Sequence, residues 1–84
     1  MNSANKLAKT KWAIRRGMLE LDLIFNDFLQ EGYDQLSDTQ QDDFLHFLLN
    51  SDPDLFSWLM GFREPTERDD ITMVAIIRAS IKET

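Results

Sequence analysis

The sequence predicts an all-α fold, a small five-helix bundle that forms a single domain over residues 1–84. Three observations support this prediction. Apolar residues recur at intervals of three and four, the spacing that places them on one face of a helix. The alternating runs typical of strands are absent, and β-branched residues are few. Helix-start motifs occur between the periodic segments.

The first two helices are predicted on either side of a glycine. Leu7, Trp12 and Ile14 are the apolar positions of the first helix, which Gly17 ends or bends. The second helix follows and ends near Gly32, which has the place of a glycine just after a last turn. Its apolar stripe comprises Leu21, Ile24, Phe25, Phe28 and Leu29.

Two helix-start motifs predict the third and fourth helices. Ser37–Gln40 has the S-x-x-Q form of a capping box, and acidic residues follow it at the positive end of the helix dipole. Asp52 is predicted to cap the fourth helix, with Pro53 at its first position, and Gly61 to end it. The apolar faces of these helices comprise Phe44, Leu45, Phe47, Leu48 and Leu49, then Leu55, Phe56, Trp58, Leu59 and Met60.

A fifth helix is predicted after the loop that contains Pro65. It starts near Asp69, and its buried stripe comprises Ile71, Val74, Ile77 and Ile81. We expect the two tryptophans to lie in the core, as large apolar residues at helical spacing usually do. Trp58 in particular is predicted to fill the centre of the bundle.

Charge is unevenly distributed along the chain. The net charge is −6, yet residues 1–16 contain five cations and no acid, whereas the rest has fifteen acids and four cations. An acidic body argues against duplex nucleic acid as the partner. No apolar run reaches the ~18 residues that span a bilayer. We expect the basic segment to be the first helix of the domain rather than a targeting peptide, and the protein to be bacterial and cytoplasmic.

The residues needed for most catalytic and metal sites are missing. His46 is the only histidine and cysteine is absent, so a zinc site or a nucleophile–histidine pair lacks its members. Three isolated glycines make no phosphate-binding loop. The acid pairs Asp42–Asp43 and Asp69–Asp70 fall at predicted helix starts, where they interact with the dipole. We therefore expect neither an active site nor a metal site, and a solvated His46.

The segment Arg15–Asp22 is the remaining candidate site. If it is helical, Arg16 and Glu20 project from one face, and Gly17 leaves room for close approach. The pair is then either a structural ion pair of about 0.3–0.5 kcal/mol or part of a docking surface. Trp12, one turn earlier, favours docking, because tryptophan and arginine dominate interface hot spots.

Two blocks of the sequence carry a family resemblance. Trp12–Asp22 has the sequence W-A-I-R-R-G-M-L-E-L-D, which contains R-G-x-x-E, and Asp52–Leu59 has the sequence D-P-D-L-F-S-W-L. Together, in this order and in a chain of this length, they resemble the flavinylation (assembly) factors of succinate dehydrogenase. The resemblance covers nearly the whole chain, although its specific motifs are confined to these two blocks.

The resemblance implies a monomeric five-helix chaperone rather than an enzyme. Such proteins bind the flavoprotein subunit of succinate dehydrogenase, and often that of fumarate reductase, and promote covalent attachment of FAD to a histidine of this client. FAD is then the cofactor of the client and not of the chaperone. The residues that face the client would be Arg16, Gly17 and Glu20, supported by Trp12, Arg15 and Asp22.

A different protein-binding module remains the main alternative. A small acidic helical protein could be antitoxin-like, or could regulate a partner, and composition does not exclude this. A nucleic-acid regulator is less well supported, because helices two to five lack a face rich in arginine, asparagine or glutamine.

Overall fold

The computed structural model describes residues 3–81, with side chains from residue 5 onward, and shows an all-α fold. A 3₁₀ turn connects the second and third helices, and no strand occurs within the described range. The predicted five-helix bundle is confirmed. The helices are α1 Ser3–Ala13, α2 Leu19–Glu31, α3 Asp38–Phe47, α4 Asp52–Leu59 and α5 Arg68–Ser80, and the 3₁₀ turn is Tyr33–Gln35.

Aromatic side chains form the centre of the core. The Phe44 ring of α3 lies 5.1 Å from that of Phe28 and 6.1 Å from those of Phe25 and Tyr33, measured between centroids. Edge-on and tilted pairs of this kind are stabilising beyond the area that they bury. Trp58 is buried beside Phe47, as predicted. The other core residues are Ile14, Leu21, Leu36, Leu48, Leu55, Leu59, Met73, Val74 and Ile77.

The helix ends confirm one predicted cap and correct another. The Ser37–Gln40 capping box is present, with both reciprocal hydrogen bonds. The cap of α4 is Ser51, whose hydroxyl accepts from the backbone of the third helical residue, so the prediction of Asp52 was wrong. Helix α2 ends at Glu31, directly before Gly32, as predicted, although Gly32 is not left-handed (φ −123°). Glycine is needed there because a Cβ would come within 2.7 Å of the Phe28 ring.

The prediction for α5 was right only for the middle of its stripe. Val74 and Ile77 are buried, but Ile71 and Ile81 at its ends are exposed. The buried face is instead extended by Met73 and by the first-turn acid Asp70.

Polar contacts attach α1 to α3. The ammonium of Lys6 lies 2.8 Å from the Asp38 carboxylate and 2.9 Å from that of Asp42, and it also donates to the Asp38 carbonyl. The hydroxyl of Thr10, one turn further, donates to the Lys6 carbonyl. The buried residues along α1 and directly after it are thus Lys6, Thr10 and Ile14, of which only Ile14 is apolar.

These ion pairs predict how stability depends on pH. The hydrogen bond from Lys6 lowers the pKa of Asp38, and that from Arg63 lowers the pKa of Asp54. Each carboxylate therefore stabilises the fold above the unfolded pKa of about 3.9, and this contribution is lost as pH falls through the lower folded value. The hydrogen bonds that Lys6 donates to Asp38 and Asp42 raise the pKa of Lys6, so its contribution is lost only above about pH 10.4.

We expect the free energy of unfolding to be nearly constant from about pH 5 to 9 and to fall below about pH 4. Urea denaturation across this range measures it. Lys6→Met should reduce the fall in the free energy of unfolding below about pH 4, which we call the acid limb. The reason is that Asp38 loses its partner in the folded state of this variant. The exposed Lys11→Met is the matched control and should leave the limb unchanged. Equal acid limbs in the two variants would contradict the assignment.

Candidate functional site

The segment that contains the R-G-x-x-E motif is a turn between α1 and α2. Helix α1 ends with the hydrogen bonds from Ile14 to Thr10 and from Arg15 to Trp12, and α2 begins only at Leu19. Gly17 has φ +83°, a left-handed value that costs other residues roughly 1–2 kcal/mol. Gly17 therefore lies at the end of the first helix, one of the two outcomes predicted for it, and the condition under which Arg16 and Glu20 would share one helical face is not met.

The Arg16 side chain is mostly buried rather than exposed to solvent. Its Nε lies 2.7 Å from the Asp52 carboxylate, and its terminal nitrogens donate to the carbonyls of Ala13 (3.0 Å), Leu48 (2.6 Å) and Asn50 (2.8 Å). Only 16% of the side chain is exposed. One guanidinium therefore connects the C-terminal ends of α1 and α3 to the first residue of α4.

The backbone of the same residue is also held. The Arg16 N–H donates to the Asp22 carboxylate in the first turn of α2, at 3.0 Å. Glu20 is exposed and makes no ion pair with Arg16 among the described residues. The intrahelical Arg16–Glu20 pair considered from the sequence does not form, because these residues lie in a turn and at the start of the next helix. Arg16 and Asp22 instead fix the shape of the turn.

The outward side of the turn is open and carries both exposed apolar and charged side chains. A Cβ built on Gly17 would meet no atom within 4 Å, so the glycine borders open space. Trp12 on the last turn of α1 is 72% exposed, and the Arg15 guanidinium lies over its ring, 5.2 Å from the centroid. We call this set the turn surface and define it as Trp12, Arg15, Gly17, Leu19 and Glu20.

Exposure of Trp12 contradicts the expectation that both tryptophans lie in the core. An exposed indole is costly to hydrate, and tryptophan is among the residues most enriched at binding hot spots. Trp12, Lys11 and Arg15 also line a shallow groove of about 240 Å³ along α1. The surface therefore combines an aromatic platform with two cations.

Of the six residues predicted for the site, four are on the turn surface and two are beneath it. Trp12, Arg15, Gly17 and Glu20 are exposed. Sequence reasoning missed the exposed Leu19. The spacing of the apolar residues could have found it, because Leu19 lies outside the apolar stripe of α2. Sequence reasoning also missed Asp52 and Asn50 as partners of Arg16, since no local pattern marks a contact across more than 30 residues.

His46 and the acidic side chains are the groups to consider for a catalytic or metal site. His46 is exposed on α3, as predicted. Among residues 3–81, no group of three His, Cys, Asp or Glu side chains is arranged to hold a metal ion. Within the same range, none of the helices has both the length and the apolar character needed to cross a bilayer. What the turn surface offers is shape and charge for contact with another protein.

Comparison with known proteins gives a consistent result. A family model described as the flavinator of succinate dehydrogenase matches residues 8–81. The FAD assembly factor SdhE of Vibrio cholerae is 51% identical over 61 residues, which are 73% of this chain and 71% of that protein. SdhE of Colwellia psychrerythraea is 44% identical over 85 aligned positions, which cover 96% of this chain and 93% of that protein.

Structural similarity agrees with this. A solution structure of a UPF0350 protein matches with a TM-score of 0.77 and 44% identity, over 94% of this chain and 84% of that one. The resemblance noted in the two sequence blocks is thereby confirmed over most of the chain. The protein belongs to the family of succinate dehydrogenase flavinators.

Proposed function

We propose that this protein is an assembly factor that binds the flavoprotein subunit of succinate dehydrogenase and promotes covalent attachment of FAD to it. The flavoprotein of fumarate reductase is a second client in this proposal. The observation that carries it is the turn surface, where an exposed tryptophan stands beside a glycine that borders open space. Family membership supplies the identity of the client.

The proposed mechanism is positioning rather than chemistry. Gly17 allows the client backbone to approach the turn closely, and Trp12 supplies a large rigid contact area. Docking holds the client in a geometry where flavin and acceptor side chain are aligned, and alignment alone lowers a barrier by several kcal/mol. The protein therefore needs no base, nucleophile or cofactor of its own. It acts as a monomer in the bacterial cytoplasm.

Deletion of the gene tests the proposed function directly. Covalent flavin on the client is measured by in-gel fluorescence after denaturing electrophoresis, with an immunoblot for the amount of client. We expect the flavin signal to fall at least tenfold and to return on complementation. An undiminished signal without the protein would overturn the proposal and favour the alternative, a regulatory or antitoxin-like module.

Trp12→Ala is the sharpest test of the surface. Because the side chain is mostly exposed, we expect the free energy of unfolding to change by less than about 0.5 kcal/mol. Client affinity should fall by about 30-fold, which corresponds to a hot-spot contribution of about 2 kcal/mol. Calorimetric titration of the purified flavoprotein measures it.

Phe62→Ala is the matched control, because Phe62 is 73% exposed and lies beyond the far end of α4. We expect this variant to bind the client as the unmodified protein does. Equal affinities for the Trp12 and Phe62 variants would remove Trp12 from the interface.

A further inference from the structure

The outward face of α2 extends the turn surface, with which it shares Leu19 and Glu20, by a further exposed leucine. Leu19 is 68% exposed and Leu23, one turn later, is 58% exposed. Both point away from the buried stripe of the helix, because Leu21 and Phe25 occupy the opposite positions. Folding alone gives no reason to leave two leucines of one helix in water.

The same face carries negative charge that the protein does not neutralise. Helix α2 contains four acidic residues and no basic one. Glu20 and Asp27 are exposed beside the two leucines, and neither takes part in an ion pair between residues 5 and 81. On the α1 side of the turn, Lys11 and Arg15 are positively charged. The surface around Gly17 is therefore bipolar.

We infer that the α2 face, defined as Leu19, Glu20, Leu23 and Asp27, docks onto an apolar patch of the client that is bordered by lysine or arginine. The inference rests on the proposed function and adds the chemistry of the partner surface. Exposed leucines provide the area to be buried, and the unpaired carboxylates select a cationic border. An acidic patch of the client would correspondingly face Lys11 and Arg15.

Charge argues against a second copy of this chain as the occupant. A symmetric dimer through α2 places the same residues of both copies against each other. Glu20 and Asp27 would then face like charges, which is unfavourable in a desolvated interface. A partner with a cationic border removes this repulsion. It can bind in only one orientation, because the α2 side of the turn is negatively charged and the α1 side is positively charged.

The apolar part is tested by Leu23→Ser, with Phe62→Ser as a control that removes a similarly exposed apolar side chain elsewhere. Binding to the purified flavoprotein subunit of succinate dehydrogenase is measured by surface plasmon resonance. We expect Leu23→Ser to raise Kd at least tenfold with an unchanged thermal midpoint, and the control to leave Kd unchanged. Leu23→Ala, a milder change, repeats the test if the serine variant melts early.

The charge part is tested by Asp27→Lys against Glu64→Lys, an identical change of net charge in the α4–α5 loop. We expect Asp27→Lys to slow association at least fivefold at low ionic strength. The difference should shrink as salt is added, because salt screens exposed charges. Glu64→Lys should alter association less than twofold.

The outcomes separate this inference from the proposed function. Unchanged Kd for Leu23→Ser, with loss of binding for Trp12→Ala, would overturn the α2 inference and leave the chaperone role intact. Covalent flavinylation that persists in the deletion strain and with every variant would overturn the chaperone role itself. Light scattering that shows a dimer converted to a monomer by Leu23→Ser would assign the face to self-association and overturn the inference.

Discussion

Covalent flavinylation of the client is expected to fall to background when Gly17 is replaced by arginine. Two physical effects combine at this position. The residue has φ +83°, so a side chain strains the turn by roughly 1–2 kcal/mol. A Cβ there meets no atom of this protein within 4 Å, so the side chain projects into the open space where we propose that the client approaches. The strain leaves a domain of ordinary stability folded, whereas the projection obstructs docking.

A pair of alanine variants separates strain from obstruction. Gly61 is also left-handed, at φ +79°. It follows the C-terminal end of α4, whereas Asp52, the partner of Arg16, is the first residue of that helix, about 12 Å away along the axis. We expect Gly17→Ala and Gly61→Ala to lower the free energy of unfolding by similar amounts, about 1–2 kcal/mol. Only the Gly17 variant should lose flavinylation.

In-gel flavin fluorescence of the client, in a deletion strain complemented with each variant, measures activity, and urea denaturation measures stability. Gly17→Asn is a third variant, since asparagine tolerates the left-handed region better than alanine. It should be more stable than Gly17→Ala but should support no more flavinylation. If the two alanine variants lost flavinylation equally, the effect of Gly17 would be one of folding and not of docking.

The helices themselves were predictable because their determinants are local. The Ser37–Gln40 capping box uses two side chains three residues apart, and the stripe from Leu21 to Phe28 repeats within two turns. Such patterns are complete within one segment of sequence. The family motif was likewise visible and indicated the flavinylation factors, although the placement of its side chains was not predictable.

A helix end at Gly17 was one of two predicted outcomes, but the geometry of the turn was not predictable from spacing. Trp12, Arg16 and Glu20 are four residues apart, which matches a continuous helix, and a glycine gives no sign in sequence of whether its φ is positive. Its conformation is fixed by the contacts of Arg16 with Leu48, Asn50 and Asp52, which lie 32 to 36 residues away. No local rule contains those contacts.

The position of Trp12 was mispredicted for a related reason. Hydrophobic periodicity assigns a tryptophan to the buried face, but the buried residues along α1 and directly after it are Lys6, Thr10 and Ile14. The first two are polar and are buried because they have hydrogen-bond partners on α3 and within α1. With that face occupied, Trp12 points outward, where it is available to a partner.

Arg16→Ala is expected to lower the free energy of unfolding by about 2 kcal/mol, and thereby the thermal midpoint by about 8–16 °C for a domain of this size. The loss arises because the guanidinium is mostly buried and makes four hydrogen bonds, three of them to carbonyls at the ends of α1 and α3. These carbonyls lose their partner in the variant. The Asp52 carboxylate, which is partly exposed, is rehydrated at modest cost, so the ion pair itself contributes the smaller part.

The neighbouring Arg15 provides the control. It has the same side chain and an exposed position over the Trp12 ring, so Arg15→Ala should change stability by less than about 1 kcal/mol. Arg16→Lys should fall between the two, because an ammonium can pair with Asp52 but cannot reach all three carbonyls in a planar arrangement. Thermal melts of the purified proteins measure all three.

Binding of the client by the same variants, at a temperature where each is folded, then separates two roles for the arginine of the motif. If Arg16 positions the turn, Arg16→Ala should lose client affinity in step with increased amide exchange of residues 14–18, while amides in α5 stay protected. If Arg16→Ala melted like the unmodified protein and still lost the client, Arg16 would have to leave its buried partners and contact the client directly. The hydrogen bonds at 2.6–2.8 Å favour the first outcome. On that account the arginine of R-G-x-x-E holds the turn from beneath, and the glycine and glutamate are the part that the client contacts.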